Sequence, residues 1–376
     1  MYLRIRLNRA IIGINATMKV GEEVKKFSPK RVLIISSKTV GKSELCNKIL
    51  DLIPNAEVWN GVKPEPDLGV LNACIDHAKD YDCYIALGGG SVIDIAKLAN
   101  LCITTGKDVQ KFLPKPIGEG NVYFGKLKPL IAIPTTAGTG SEVTCAAVIK
   151  LKKLKVGITL ECLLPDLAIV DPINTLTCPK NVTASSGFDA LMHALEAYTT
   201  KPSGNFYCGA NPITDALAEK ALKLIVKSLE RAYRVGDLNS RYDMSLAAFI
   251  AGMAFGNAGV HIGHALAHAI GGLKNIPHGV CLASVGSAVL NYIFDYIPEW
   301  KKNTLREIFG GDPVEKINEL RKKLNLPSLS DLGFSESQAE EIAENAAKLK
   351  RIVSLCPRKV DVNGLKKVII SALSIC

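Results

Sequence analysis

The sequence predicts an α/β domain with a parallel sheet, followed by an all-α domain. Short apolar segments at 31–36, 83–87 and 129–133 predict buried strands, and helical patterns lie between them. Strands that alternate with helices are typical of a parallel, doubly wound sheet. Further along the chain the β-rich segments end, and the stretches 211–235 and 241–255 carry apolar residues at helical spacing.

The length of the chain predicts two domains. Its 376 residues exceed a typical domain of about 100–200 residues, so we expect two lobes with a cleft between them. We place the boundary near Cys178 and Pro179, because proline is favoured at a helix start and residues 181–200 form the first long helical pattern. The predicted domains are 1–178, α/β, and 179–376, helical.

Composition and charge bear on partners and location. Basic residues outnumber acidic ones 46 to 36, but no zinc finger, helix-turn-helix or aromatic RNA-binding motif accompanies them. No stretch approaches the ~20 apolar residues of a membrane span. Residues 1–7 alternate apolar and basic residues like a short strand, without the apolar segment of a signal peptide. The eleven cysteines include no Cys-x-x-Cys pair. We therefore expect a cytoplasmic protein that binds neither nucleic acid nor a membrane.

Two loops in the first domain combine glycines with hydroxyl side chains directly after predicted strands. Residues 88–91 are Gly-Gly-Gly-Ser and open a predicted helix, where a phosphate would meet backbone N–H groups at the positive helix end. The alternative is a tight turn in which Ser91 caps the helix and Asp94 completes the cap. The second loop, 134–142, concentrates threonines and glycines. Because the Gly-x-Gly-x-x-Gly fingerprint is absent after the first strand, the two loops predict a different kind of nucleotide site.

Aspartate and histidine residues in the second domain have the spacing of metal ligands. Of the six histidines, four fall in one short stretch. Residues four apart lie on one face of a helix, so Asp189 would project with His193, and His264 with His268. One carboxylate and three imidazoles would come from Asp189, His193, His264 and His278. Such a set holds iron or zinc and leaves one coordination position open. The alternative for any single histidine is packing in an apolar core.

These motifs together resemble the iron-containing alcohol dehydrogenases. The matching segments are 88–94, 134–142, 165–172, 187–196, 264–268 and 277–279, in order along nearly the whole chain. The resemblance implies the dehydroquinate synthase-like fold of that family, in which an α/β dinucleotide-binding domain with a parallel sheet faces an all-α metal-binding domain. We expect a homo-oligomer, a dimer, that acts on a small molecule.

The resemblance also implies roles for individual residues. The implied iron ligands are Asp189, His193, His264 and His278. The implied cofactor contacts are Gly89, Gly90, Ser91, Thr135, Thr136, Thr139 and Lys155. We expect Ser37 and Asp94 to contact the cofactor as well. His268 matches a catalytic histidine near the substrate that would relay the hydroxyl proton to solvent, and Phe255 matches a wall of the substrate pocket. His261 has no counterpart, and we interpret it as a residue that packs in the core or supports a ligand.

The residue after the first predicted strand bears on the choice of cofactor. It is Ser37, followed by Lys38, where many NAD-using relatives place an aspartate that binds the ribose 2′-hydroxyl and repels a 2′-phosphate. The sequence therefore predicts that NADP is accepted or favoured, with NAD as the alternative.

Further segments resemble the hydroxyacid–oxoacid transhydrogenase branch of the family. They are 116–118, 127–130, 186–189, 198–200, 209–215 and 255–261. That branch exchanges hydride between 4-hydroxybutyrate and 2-oxoglutarate through a retained nicotinamide. We therefore expect an iron-dependent, NAD(P)-linked alcohol dehydrogenase or aldehyde reductase that acts on a short hydroxy acid such as 4-hydroxybutyrate.

The chain departs from the branch in two places, and these keep alternatives open. The segment between 200 and 211 is shorter, and residues 263–265 are Gly-His-Ala where the branch has Cys-His-Gly. One alternative is turnover of simple alcohols or aldehydes. Two others are a Zn²⁺-dependent polyol dehydrogenase of the same fold and a non-catalytic protein that binds a nucleotide or a metal.

Overall fold

The computed structural model of the protein describes residues 5–151, 154–202 and 208–375. Contacts divide this part of the chain into two compact units. The first, an α/β unit, is Leu7–Cys178. The second, a helical unit, starts at Pro179 and also includes Ile5 and Arg6.

The described residues of the α/β unit contain eight strands. They are β1 (Arg9–Ile12), β2 (Val32–Ser37), β3 (Ala56–Val62), β4 (Cys83–Gly88), β5 (Leu130–Pro134), β6 (Ala146–Leu151), β7 (Leu154–Thr159) and β8 (Leu167–Val170). Six of them form one sheet in the order β1-β8-β5-β4-β2-β3, in which every neighbouring pair is parallel. The remaining two, β6 and β7, form an antiparallel hairpin. The predicted parallel sheet is confirmed.

Helices cover both faces of this sheet. They are α1 (Val20–Lys25), α2 (Glu44–Leu52), α3 (Leu68–Ala78) and α4 (Gly90–Thr105). Side chains alternate between the two faces of a strand. On β4, Tyr84 and Ala86 therefore pack with residues of α3 and α4, whereas Cys83, Ile85 and Leu87 pack with residues of α1 and α2. Because both faces are buried, the strand is apolar throughout.

The three predicted strands correspond to β2, β4 and β5, with ends that differ by one residue at most. The strand predicted at residues 1–7 was wrong for residues 5–7, since the first described strand begins at Arg9. Residues 1–4 lie outside the described residues. The amide side chain of Asn257 accepts from the Arg6 N–H at 2.8 Å and donates to the Arg6 carbonyl at 3.2 Å. The Asn257 side chain thus forms the pair of hydrogen bonds that a neighbouring strand would form with Arg6.

The second unit is helical, as predicted. Its described α-helices are α5 (Lys180–Thr199), α6 (Pro212–Arg234), α7 (Leu238–Ala258), α8 (Ile262–Lys274), α9 (His278–Ile293), α10 (Glu299–Phe309), α11 (Pro313–Lys323), α12 (Ala339–Ala347), α13 (Lys350–Val353) and α14 (Val362–Leu373). The helical patterns at 181–200, 211–235 and 241–255 correspond to α5, α6 and α7. The segment predicted to be shorter, between 200 and 211, includes residues 203–207, which lie outside the described residues.

Helix α5 lies at the centre of this unit and packs against α6, α7 and α9. All of its residues from Gly187 to Thr199 are buried. A Cβ at position 187 would lie 2.1 Å from the Leu229 Cδ1 atom of α6, so a larger residue there would displace the Leu229 side chain. Glycine thus allows α5 and α6 to approach closely at this point.

Helix α9 is mostly apolar and mostly buried. The expectation that no stretch approaches a membrane span was wrong by length and composition, since the segment His278–Tyr296 is long and apolar enough to cross one. Helices α7 and α8 together also meet this criterion, although they bend by 104° at their junction. Of the apolar window in His278–Tyr296, 67% is buried inside the protein. Helix α9 contacts α5, α8, α11 and α14. A helix enclosed by other helices has no face that must be polar.

Candidate functional site

Three histidine side chains from three helices converge on one carboxylate oxygen, that of Asp189. Asp189 and His193 lie one turn apart on α5, and His193 Nδ1 is 3.5 Å from Asp189 Oδ1. His264, in the first turn of α8, places Nε2 3.8 Å from the same oxygen. His278, the first residue of α9, places Nε2 3.9 Å from it. The structure thus brings together the four residues that the sequence predicts as metal ligands.

These separations fit a single metal ion. Ligand atoms of Asp189, His193 and His264 lie within 4.8 Å of one another, and all three residues are buried. With metal–ligand distances of about 2.1 Å, two donors on one ion lie no more than about 4.2 Å apart. The three distances to Asp189 Oδ1 are shorter than this limit. One carboxylate with three imidazoles is a donor set that accepts iron or zinc.

His264 has the protonation state that a metal ligand needs. Burial lowers its pKa to about 3, so the ring is neutral at neutral pH. Its Nδ1 lies 2.7 Å from Glu196 Oε2, whereas its Nε2 is buried and has no hydrogen-bond partner among the described residues. Leaving a buried polar atom without a partner costs free energy, and a bound cation would remove that cost.

A buried cluster of three polar side chains, Glu196, His261 and Thr199, lies on the Nδ1 side of His264. Glu196 and His261 are both fully buried, and the Glu196 carboxylate accepts from the backbone N–H of His261 at 2.7 Å and of His264 at 3.3 Å. The pKa of the Glu196 carboxyl is raised, because the effect of burial exceeds the opposing effects of His261 and of the backbone N–H groups that face the carboxylate. The His261 Nε2 atom is 2.9 Å from Thr199 Oγ1. His261 therefore contacts Glu196 and Thr199, behind the ligand.

Two more predicted residues lie beside the cluster. His268 is one turn after His264 on α8, and its ring centroid is 4.9 Å from that of His278. Phe255, on α7, stacks on the His193 ring with centroids 3.9 Å apart and an interplanar angle of 12°. Their roles as proton relay and as pocket wall stay predictions.

In the α/β unit, the Gly-Gly-Gly-Ser loop joins β4 to α4. Gly89 occupies the N-cap position and Gly90 is the first helical residue. The Val92 N–H donates to the Gly89 carbonyl at 2.9 Å, and no side chain caps α4 within the described chain. The alternative in which Ser91 caps the helix was wrong, because the cap position falls two residues earlier, on a glycine. The first N–H groups of α4 are left without a side-chain acceptor, which suits an anion.

The second predicted loop lies against the first. Thr135 follows β5 directly, and its N–H donates to the last carbonyl of β4 at 3.1 Å. A Cβ on Gly89 would lie 3.3 Å from Thr136 Oγ1, and one on Gly90 would lie 2.6 Å from Thr139 Cγ2. Both loops follow the carboxyl ends of neighbouring strands, which is where doubly wound sheets bind their ligands.

Two residues of α4 support the second loop. Asp94 Oδ1 accepts from the Ser141 hydroxyl at 2.5 Å, and Oδ2 accepts from the Val148 N–H at 2.9 Å. Lys97 is fully buried and donates to three backbone carbonyls at 2.6 to 2.8 Å, and burial lowers its pKa to about 8. No role for Lys97 was predicted, since a helical pattern does not reveal which lysine will be buried. A direct contact of Asp94 with the cofactor stays a prediction.

The two remaining predicted cofactor residues lie apart from these loops in sequence. Ser37 ends β2, a neighbour of β4, so it lies at the same edge of the sheet as the loops. Its hydroxyl accepts from the Val40 N–H at 3.4 Å, and Lys38 after it is exposed. Lys155, on β7, is buried, and its Nζ lies 2.5 Å from Glu65 Oε2. A contact of Lys155 with the cofactor stays a prediction.

Comparison with known proteins identifies the family. The family model of iron-containing alcohol dehydrogenase matches residues 8–172. The model of the C-terminal region of the Fe-containing alcohol dehydrogenase family matches residues 183–373. The chain belongs to the iron-containing alcohol dehydrogenase family. As a member of it, the protein is an oxidoreductase that acts on hydroxyl groups, and membership implies iron and a nicotinamide cofactor.

Relatives of this family member include mitochondrial hydroxyacid-oxoacid transhydrogenases. The one from Bos taurus is 34% identical over 395 residues, which cover 92% of this chain and 84% of the relative. The one from Caenorhabditis elegans is 32% identical over 399 residues, which cover 93% of this chain and 85% of the relative.

Solved structures of family members share the fold. A 1,3-propanediol oxidoreductase has a TM-score of 0.91 at 29% identity, covering 99% of this chain and 100% of that one. An alcohol dehydrogenase from Oenococcus oeni has a TM-score of 0.90 at 30% identity, with the same coverage. A sulfoacetaldehyde reductase from Bifidobacterium kashiwanohense in complex with NAD⁺ has a TM-score of 0.90 at 25% identity, covering both chains fully.

Proposed function

We propose that this iron-containing alcohol dehydrogenase oxidises a short hydroxy acid, such as 4-hydroxybutyrate, to its semialdehyde and passes the hydride to NAD(P). The proposed iron ligands are Asp189, His193, His264 and His278. The observation that carries the proposal is the convergence of three imidazoles on Asp189 Oδ1, at 3.5 to 3.9 Å. Burial of His264 keeps its ring neutral and able to bind a cation.

The residues of the chain would bind and orient the reacting groups. A divalent cation acts as a Lewis acid toward the substrate oxygen, and a nicotinamide exchanges a hydride with the substrate carbon. The N–H groups at the start of α4, next to Gly89 and Gly90, would bind the cofactor diphosphate. Stacking of Phe255 fixes the orientation of the His193 ring. His268, beside His278 and with 8% of its surface exposed, would accept the hydroxyl proton and pass it to solvent.

Two observations favour a hydroxy acid over a simple alcohol. The relatives in cattle and in the nematode are named for hydroxyacids and oxoacids. The segments 209–215 and 255–261 of this chain resemble the same branch. A carboxylate on the substrate would gain an ionic or N–H anchor that an uncharged chain lacks, and such an anchor in a buried site contributes about 1.5–3 kcal/mol.

A panel of matched substrates tests this assignment on protein purified anaerobically and loaded with Fe²⁺. We expect 4-hydroxybutyrate to exceed 1-butanol, and succinic semialdehyde to exceed butanal, by about ten- to a hundredfold in kcat/KM. Equal or faster turnover of the uncharged analogues would reject the assignment of a hydroxy acid as substrate, without contradicting the assignment of dehydrogenase activity. Activity on polyols with Zn²⁺ alone would instead favour the zinc-dependent alternative.

A second candidate is hydride exchange between a hydroxy acid and an oxo acid through a nicotinamide that stays bound. The names of the relatives favour it. The test mixes the protein as purified with 4-hydroxybutyrate and 2-oxoglutarate, without added nucleotide. Repeated turnover at a rate that added NAD(P) does not raise supports the exchange reaction. Turnover that stops without added nucleotide supports an ordinary dehydrogenase.

A further inference from the structure

The Glu196 carboxylate lies at the N-terminus of a helix to which it does not belong. It is on α5, three residues after His193, and its side chain is fully buried. His261, the N-cap residue of α8, forms no side-chain cap, so the first N–H groups of α8 need an acceptor from elsewhere. Glu196 accepts from the His261 N–H at 2.7 Å and from the His264 N–H at 3.3 Å. A negative charge there also interacts favourably with the helix dipole.

Glycine at position 263 makes this approach possible. A Cβ on Gly263 would lie 2.1 Å from Glu196 Oε1 and 3.2 Å from Met192 Cε. A larger residue would therefore push the carboxylate away from α8.

The same carboxylate faces one ring nitrogen of His264. Glu196 Oε2 is 2.7 Å from Nδ1, and backbone N–H groups donate to both carboxylate oxygens. Because both oxygens already accept N–H groups, the geometry favours the carboxylate as the acceptor toward His264 and the hydrogen on Nδ1. In that tautomer Nε2 has a free lone pair, and Nε2 is the atom that lies 3.8 Å from Asp189 Oδ1.

We propose that Glu196 is a positioning residue that fixes both the start of α8 and the tautomer of His264, so that Nε2 is available to the metal. This inference rests on the metal site of the proposed function. A histidine ligand commonly donates its other N–H to a carboxylate, and loss of that carboxylate commonly weakens metal binding about 10- to 100-fold. Here one residue would prepare the ligand and the helix that carries it.

The variant Glu196→Gln tests the proposal because it keeps the size of the side chain. A glutamine has one acceptor oxygen, so its NH₂ group must face either the α8 backbone or His264 Nδ1. We expect the affinity for Zn²⁺, used as a redox-inert probe and measured by competition with a chromogenic chelator, to fall about 10- to 100-fold. In ¹⁵N-histidine NMR of the Zn²⁺-loaded wild type, His264, assigned by its loss in His264→Asn, should be protonated at Nδ1, and Glu196→Gln should weaken that signature.

Thr199→Val is the matched control. It removes the hydroxyl that contacts His261 in the same buried group, and it leaves the Glu196–His264 contact in place. It should lower the Tm of the metal-free protein without changing the Zn²⁺ affinity. If Glu196→Gln also lowers only the Tm and binds Zn²⁺ as tightly as the wild type, Glu196 merely caps α8 and the proposal is overturned.

Two further comparisons keep the outcomes separate. If Glu196→Gln does not fold, Glu196→Asp keeps the charge but withdraws it by one methylene from His264, and weaker Zn²⁺ binding is again expected. Unchanged Zn²⁺ affinity in that variant would overturn the proposal. If the wild type and His264→Asn bind Zn²⁺ equally, the metal site itself is wrong, whatever Glu196 does.

Discussion

The two units of the protein build their candidate sites in different ways. In the α/β unit, consecutive residues after β4 and β5 bring backbone N–H groups and small side chains together, and a Cβ on Gly90 would already meet Thr139. In the helical unit, side chains from three separate helices meet at Asp189 Oδ1. The first site depends on the backbone conformation of two loops. The second site depends on how three helices pack, because packing decides which side chains come together.

The largest effect should come from removing one metal ligand. We expect His278→Ala to lose bound iron and activity together. The activity should fall at least about a hundredfold, because loss of even a residue that only supports a ligand commonly costs 10- to 100-fold. The His278 side chain is 24% exposed, the most of the four, so its removal should disturb the core least. Metal analysis beside steady-state rates measures both losses.

The same variant sharpens the comparison between the units. Because the loops after β4 and β5 lie in the other unit, nucleotide affinity by fluorescence titration and the circular dichroism spectrum should match the metal-free wild type. An active His278→Ala protein without metal would rule out the assigned ligands.

A smaller effect is expected from the nucleotide side. Ser37 ends β2 and is followed by an exposed lysine, so the wild type should use NADPH at least as well as NADH. Ser37→Asp should shift the ratio of kcat/KM values toward NADH by about tenfold, or 1.4 kcal/mol, because a carboxylate binds the ribose hydroxyl and repels a 2′-phosphate. Iron content should not change. A wild type that strongly prefers NADH, with no further gain in the variant, would contradict the role of Ser37.

The smallest effect concerns stability alone. Asp237 caps α7, where its carboxylate accepts from the Arg231 guanidinium at 2.6 Å and from the Ser240 N–H at 3.2 Å. The hydrogen bond from Arg231, followed by the one from Ser240, lowers the pKa of Asp237 from 3.8 to about 2. Asparagine also caps helices, so Asp237→Asn removes the charge and keeps the cap.

The sign of this pH effect follows from the direction of the shift. A folded-state pKa below the unfolded value stabilises the protein above pH 3.8, and that stability is lost as the pH falls toward 2. Asp237→Asn should therefore be less stable than the wild type in urea unfolding at pH 7, by a difference that shrinks below pH 4. A difference that stays constant with pH would show that the charge contributes nothing. Neither Zn²⁺ nor nucleotide affinity should change.

Local pattern was sufficient for the most buried elements of the α/β unit. The strands β2, β4 and β5 were predicted because burial on both faces makes them continuously apolar. In contrast, β3 was missed because it lies at a sheet edge, is partly exposed and contains Asn60 and Gly61. The four-residue strands β1 and β8 are too short to show a period.

The predictions about partners and location are not tested by the structure. The absence of nucleic-acid and membrane binding, the cytoplasmic location and the homodimer stay predictions.

The residues that cap helices or support a loop were harder to predict from the sequence than the metal ligands. Ser91 has the residue type of a cap, but the end of β4 sets the start of α4 at a glycine. Lys97 and Glu196 looked like ordinary polar positions on helices. Their contacts arise because the second loop folds over Lys97 and the N-terminus of α8 lies against Glu196. These contacts join segments that are far apart in the chain.

The sequence by itself determined that Asp189 and His193 share a face, because the period of a helix fixes neighbours four residues apart whatever surrounds them. It also supplied enough histidines for a metal site. Helical period does not determine which of them reach Asp189, and the resemblance implies His264 and His278. The tertiary structure brings these two to Asp189, whereas His261 contacts Thr199 and Glu196. The physical reason is that helical period relates residues within one helix, while the distance between two helices depends on how all their side chains pack.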